Sequence, residues 1–159
     1  MQEIFDQYAS FIVFIHVLSA IVWVGGMIAI RLTVHPSLQT IESPEIKLGK
    51  TLEIMKRLLN MVIPMIIALI ITAVILAIGE GFKGTPLYSI VIVKEAIWTI
   101  MTIIFTVIYI KRHQAEKLFE QRDFTEAKER VKLIPNLLLP INISLGLIAL
   151  YLGITLRGF

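Results

Sequence analysis

The residues of this chain best suited to hold a cofactor share one face of a predicted apolar helix. Helical spacing places His16, Ser19, Trp23 and Gly26 along one stripe. An imidazole can ligate a metal or a haem iron, an indole can pack on a flat ring, and a glycine permits close approach. The stripe therefore predicts a cofactor-binding face, with His16 as the candidate metal ligand.

The apolar sequence around His16 indicates that this side chain lies inside a membrane. His16 is eight residues past Tyr8, about 12 Å along a helix that crosses about 30 Å of hydrocarbon. Ionisable groups at such depth are costly and usually face a bundle interior or a cavity. The alternative reading is an interhelical hydrogen bond from His16 to a neighbour such as Glu95.

Composition supports the membrane assignment. With 159 residues, 57% hydrophobic residues and 17% charged residues, the chain is too apolar for a soluble domain of this size. It has no cysteine, which excludes a disulfide framework, a thiolate metal site and a thiol nucleophile. The net charge of +3 does not indicate a nucleic-acid partner, because the basic residues flank apolar spans.

The apolar segments predict an all-α, integral membrane four-helix up-and-down bundle in a single transmembrane domain, 1–159. Each of four segments has about the 17–25 residues that a spanning helix needs. The spans are predicted at about 8–30, 61–78, 87–110 and 133–156, with cytoplasmic helical extensions at about 44–60 and 111–132.

Local motifs predict where the later helices begin. Ser43 and Thr85 each precede a proline, which is the pattern of a helix cap followed by a first turn. Asp123 with Glu126 resembles a capping box and predicts another start near Phe124.

The distribution of basic residues predicts the orientation. The Arg31–Arg57 connection holds five Lys or Arg and the Lys111–Lys132 connection seven, whereas the Gly79–Pro86 turn holds only Lys83. By the positive-inside rule both long connections are cytoplasmic and both termini lie outside, as in a prokaryotic inner membrane protein. The N-terminus lacks the basic region of a signal peptide, so the first span is expected to persist in the mature protein.

A second group of candidates lies on the third helix. Lys94 and Glu95 are eight and nine residues past Pro86, at a depth comparable to that of His16. They are the candidate catalytic residues, and Trp98, one turn deeper, is a candidate cofactor contact. Alternatively, Lys94 reaches to the membrane surface and the tryptophans are packing residues.

Basic side chains also cluster at the predicted cytoplasmic ends of the first and third helices. His35 and His113 lie just past these ends, and the nearby basic residues are Arg31, Arg57, Lys111 and Arg112. They are expected to anchor the bundle to anionic headgroups, with a bis-histidine site as the alternative.

Haem b suits such a bundle, because an imidazole ligates the iron and aromatic residues pack on the macrocycle. His16 and His35 are 19 residues apart, about 28 Å along a helix, so they cannot grip one iron within a chain. Copper is the rival cofactor, since His and Met suit Cu(I). No P-loop or HExxH motif is present.

Nearly the whole chain is covered by four segments: HVLSAIVWVGGMIAIRLTVHPSL, MKRLLNMVIPMIIALIITAVILAIG, KEAIWTIMTIIFTVIYI and FEQRDFTEAKERVKLIPNLLLPINISLGLIALYLG. These segments resemble the short, four-helix members of the copper resistance protein D (CopD) superfamily. The first helix is the most specific, with His16 and the Trp23-Val24-Gly25-Gly26 run at the family's spacing. His16 and Lys94 also resemble the helix-one histidine and helix-three lysine implicated in haem binding or oxidation in HemJ-type protoporphyrinogen oxidases.

Three functions therefore stand as hypotheses: a haem-dependent membrane oxidoreductase, a copper-handling membrane protein, and a structural or assembly protein without a cofactor. The expected partners are the lipid bilayer, a redox partner or quinone, and a second copy in a homodimer.

Overall fold

The computed structural model describes residues 2–156, except for the side chains of residues 2–4 and 6. These residues form four long helices, and the described part of the chain contains no β-strand. The four helices are each long and apolar enough to cross a membrane. The predicted all-α membrane four-helix bundle is therefore confirmed.

The helices are numbered in chain order, and two of them contain π-helical turns. The second, α2, spans Pro44–Gly79, and the third, α3, spans Tyr88–Glu120. A π-turn holds one extra residue and is frequent at functional sites. The first helix, α1, covers 2–39. Its two π-turns are Ile21–Gly25 and Ile30–Val34, and they join the α-helical segments Gln2–Ala20, Gly26–Ala29 and His35–Gln39. The fourth, α4, covers 124–155 through Phe124–Val131, the π-turn Ile134–Leu138 and Leu139–Thr155.

Two of the three predicted helix starts are confirmed. Ser43 and Asp123 each accept a hydrogen bond from the backbone N–H three residues further on, at 3.4 and 3.1 Å. The predicted cap at Thr85 is wrong, because α3 begins at Tyr88. The Thr85 hydroxyl instead donates to the Phe82 carbonyl at 2.8 Å and closes the turn before the helix.

The four helices pack as a ring around a shared core. α1 lies along α2, α3 lies along α4, and contacts of α2 with α3 and of α1 with α4 close the bundle. In the core the rings of Trp23 on α1 and Phe105 on α3 meet edge to face, with centroids 6.0 Å apart. Large apolar side chains such as Ile78, 73% exposed, cover the outside of the bundle, as expected of a surface in contact with lipid.

The two ends of the bundle differ. One end carries the short connections 40–43 and 121–123 and is called the hairpin end. The other end carries the 80–87 turn and both ends of the described chain, and is called the terminal end.

Candidate functional site

A cavity of about 710 Å³ opens in the terminal half of the bundle and is bordered by all four helices. Its walls are mainly apolar, and the ionisable side chains that line it are His16, Glu80, Lys94 and Glu95. A cleft of this size and character is typical of a site for a small molecule or cofactor.

The cavity brings together most of the residues predicted from the sequence. His16 and Trp23 of α1 line it opposite Lys94, Glu95 and Trp98 of α3. The candidate cofactor ligand and the candidate catalytic residues therefore border one space, although two different helices supply them.

Two predicted cofactor contacts lie elsewhere. Ser19 is only 2% exposed but does not line the cavity. Gly26 does allow a close approach, but the approaching group is Leu58 of α2, whose Cδ1 would lie 2.6 Å from a Cβ at this position. Gly26 therefore sets the packing of α1 on α2, while its neighbour Gly25 faces open space.

His16 is hydrogen-bonded to Thr72 of α2, a residue that is not among the candidates predicted from the sequence. Its Nδ1 lies 2.8 Å from the hydroxyl oxygen of Thr72 on α2. An interhelical hydrogen bond was the alternative reading for this histidine, with Glu95 as the suggested partner; the structure has the bond with Thr72 instead. The signal was available, because Thr72 is the one hydroxyl residue in the predicted 61–78 span.

The ammonium group of Lys94 lies against a glycine of α4. A Cβ built on Gly153 would be 3.0 Å from Lys94 Nζ, so a side chain at this position would have to displace the end of the lysine. Lys94 makes no side-chain hydrogen bond or ion pair with any side chain that the structure describes. Its side-chain nitrogen is thus available to a group inside the cavity.

The two tryptophans that line the cavity have unused hydrogen-bond donors. The indole nitrogens of Trp23 and Trp98 are buried, and neither has a hydrogen-bond partner in the described part of the chain. A buried N–H without an acceptor costs about 1–3 kcal/mol. Because these nitrogens are buried, a guest in the cavity would contact the indole rings and not their N–H groups.

The donor atoms available to a metal are few. No group of three or more His, Asp or Glu side chains converges among the described residues. The cavity instead offers one imidazole, from His16, one thioether, from Met101, and the carboxylates of Glu80 and Glu95. This donor set fits a cofactor that brings most of its own ligands, as haem does, better than it fits a bare cation.

At the hairpin end, the structure corrects the expectation for Arg112. This residue was expected to contact lipid headgroups, but it is only 2% exposed, because its side chain points into the bundle. Arg112 Nη2 lies 2.5 Å from Glu116 Oε1, and Lys56 of α2 donates to the same oxygen at 3.0 Å. The Lys56–Glu116–Arg112 cluster therefore ties α2 to α3.

The fold and the cavity together define a class: a four-helix membrane bundle with a large, mainly apolar cavity that carries a histidine and a lysine. No family model matches the chain, and the searches of characterised proteins and of solved structures also found no match.

Proposed function

We propose that this chain is a membrane protein of the CopD and HemJ kind, which binds haem b or a related redox cofactor in the cavity through His16. The observation that carries the proposal is the position of His16. Its imidazole is held by Thr72 and lines a space of about 710 Å³ together with two tryptophans.

The residues around the cavity fit a haem. The volume lies within the range of about 300–1,000 Å³ found for sites of small molecules and cofactors. Apolar walls and the rings of Trp23 and Trp98 would pack on the macrocycle, and the ammonium of Lys94 would pair with a carboxylate of the guest. When bound, haem b supplies one-electron redox chemistry, for which we propose a quinone or a membrane redox protein as partner. The protein then acts as a haem-dependent oxidoreductase.

An absorption spectrum of the purified protein tests this proposal. Protein expressed with a haem supply and purified in detergent is expected to show a Soret band, because His16 ligates the iron. His16→Ala should remove the band, and His113→Ala, which changes an exposed residue at the hairpin end, should keep it. Colourless wild-type protein, or a band that survives His16→Ala, would contradict the proposal.

Copper is the second candidate, and one observation favours it. His16 and Met101 line the same cavity, and an imidazole with a thioether suits Cu(I). Copper analysis of the same preparations separates the two cofactors. About one Cu(I) per chain, lost in both His16→Ala and Met101→Leu, together with the absence of a Soret band, would favour the copper-handling function. Background metal, no Soret band and a tolerated His16→Phe would favour a structural or assembly protein.

We also propose that the terminal end faces the outside of a prokaryotic inner membrane. The 80–87 turn at this end carries one basic residue, whereas the connection from Lys111 to Lys132 carries seven. The cavity would then be on the outer side.

Because the chain has no cysteine, single cysteines can report this orientation. Lys83→Cys is expected to react with a membrane-impermeant maleimide in intact cells, and Gln121→Cys only after lysis. Both positions are exposed, so access to the reagent depends on the side of the membrane. The reverse pattern of labelling would invert the proposed topology, and cysteine-free protein controls for background reaction.

A further inference from the structure

We infer that Thr72 is a positioning residue for His16. Its hydroxyl keeps the ring proton on Nδ1 and leaves Nε2 as the unprotonated nitrogen that faces the cavity. The inference rests on the proposed function for the ligand role of Nε2. The hydrogen bonds around the threonine carry the assignment of the proton itself.

The hydroxyl of Thr72 has one proton, and a backbone carbonyl receives it. Thr72 Oγ1 lies 2.6 Å from the Ala68 carbonyl oxygen and 3.2 Å from that of Leu69. Carbonyl oxygens only accept hydrogen bonds, so the hydroxyl donates to its own helix. Toward His16 it is left with its lone pairs and can act only as an acceptor.

It follows that Nδ1 of His16 is the donor in the 2.8 Å contact with Thr72. A neutral imidazole has a single N–H, so a ring protonated at Nδ1 carries its free lone pair at Nε2. Nε2 of His16 makes no hydrogen bond with the described part of the chain. The nitrogen able to ligate a metal is therefore already deprotonated and unoccupied by protein.

The position of the ring agrees with this assignment. Thr72 is buried, 6% exposed, and does not line the cavity, whereas His16 does. The Nδ1 edge of the imidazole is therefore turned to α2, and the opposite edge, with Nε2, is the part left for the cavity.

This arrangement matches how proteins commonly support a ligating histidine. The second ring N–H donates to a protein oxygen, which fixes the tautomer and the ring orientation, and loss of that partner typically costs about 10–100-fold in affinity or activity. In most sites the acceptor is a carboxylate or a carbonyl. Here a threonine becomes an acceptor because its proton is committed to the preceding helical turn.

Nitrogen NMR reads the tautomer directly, without any cofactor. In detergent-purified protein labelled with ¹⁵N-histidine, two-bond ¹H–¹⁵N spectra are expected to show His16 protonated at Nδ1 and unprotonated at Nε2; His16→Gln assigns the signals. Thr72→Val should shift the ring to a mixture of tautomers or to the Nε2–H form. Thr72→Ser should restore the wild-type pattern, since serine keeps the hydroxyl.

A matched control lies on the same helix. Thr51 makes the same bond to its preceding turn, to the Lys47 carbonyl at 2.8 Å, so Thr51→Val should leave the His16 signals unchanged. An Nε2–H or doubly protonated ring in the wild type would overturn the inference, as would a Thr72→Val spectrum identical to that of the wild type. If Thr72→Val does not fold, the wild-type and Thr72→Ser spectra still decide.

Haem titration separates this inference from the proposed function. Where the wild type binds haem, Thr72→Val should weaken binding by about 10–100-fold, and Thr72→Ser should differ from the wild type by only a few-fold. Wild-type protein that binds no haem but shows the Nδ1–H tautomer would contradict the proposed function and still support the assignment of the proton.

Discussion

Replacing Gly153 with phenylalanine is expected to abolish the proposed haem binding while the helix bundle stays folded. Gly153 lines the cavity, and a side chain added there would point at the Lys94 ammonium, since its Cβ would be 3.0 Å from Nζ and 3.6 Å from Cε. The end of a lysine side chain can move, so the backbone need not shift. A phenyl ring would instead occupy part of the cavity of about 710 Å³ in which the haem is proposed to bind.

Haem titration followed by absorption measures the effect. Gly153→Phe should weaken binding by more than about 100-fold, equivalent to about 2.7 kcal/mol, and Gly153→Ala should have a smaller effect, because it displaces the ammonium by only a few tenths of an ångström. Leu147→Phe is the matched control, since Leu147 lies on the same helix, is 51% exposed and does not line the cavity. Equal affinity of Gly153→Phe and wild type would place the haem elsewhere.

The fold follows from simple features of the sequence. Four apolar runs of spanning length leave few alternatives in a membrane, where every backbone group must be hydrogen-bonded within the structure. Two of the predicted caps are confirmed because the side-chain oxygens of Ser43 and Asp123 each accept a hydrogen bond from a backbone N–H in the first turn of the helix that follows. The third fails because the backbone N–H of Tyr88, three residues further on, donates to the Thr85 carbonyl at 3.1 Å and not to its hydroxyl, so that Thr85 lies in a turn before α3. A motif does not show which of the two oxygens receives this N–H.

The site was partly predictable for the same physical reason. His16 and Lys94 stand out because ionisable groups are rare in apolar spans, and both line the cavity. What a sequence does not show is which helix faces which. The contact of Thr72 with His16 joins residues 56 positions apart, and the proximity of Gly153 to Lys94 also depends on the packing of one helix on another.

For Arg112 the sequence pattern predicted an exposed side chain, and this prediction is wrong. Lys111, Arg112 and His113 are consecutive in the sequence, which predicts a common basic surface. On a helix, however, neighbouring residues point about 100° apart, so one member of a basic run can face inward. Arg112 does so, and the nearby acidic residue Glu116, one turn further on, was the available signal for an internal ion pair.

This ion pair predicts a pronounced loss of stability from a single change. Glu116→Leu is expected to lower the free energy of unfolding by about 3–5 kcal/mol, because it leaves the buried Arg112 charge without its partner. Arg112 Nε already has no hydrogen-bond partner among the described residues. Arg112→Met should be nearly neutral or stabilising, since Glu116 keeps its contact with Lys56 and is 24% exposed.

Unfolding in detergent by titration with SDS, followed by tryptophan fluorescence, measures these differences, since both tryptophans lie away from the hairpin end. The double variant Glu116→Leu/Arg112→Met should recover most of the stability lost in Glu116→Leu, because no buried charge is then left unpaired. Glu53→Leu is the matched control, as it removes a carboxylate from exposed pairs with Lys50 and Arg57 and should be far less destabilising than Glu116→Leu, because ion pairs in contact with water contribute little. If Glu116→Leu were no more destabilising than Glu53→Leu, Arg112 would not depend on its carboxylate, and the bundle would tolerate the unpaired charge by turning that side chain outward to water.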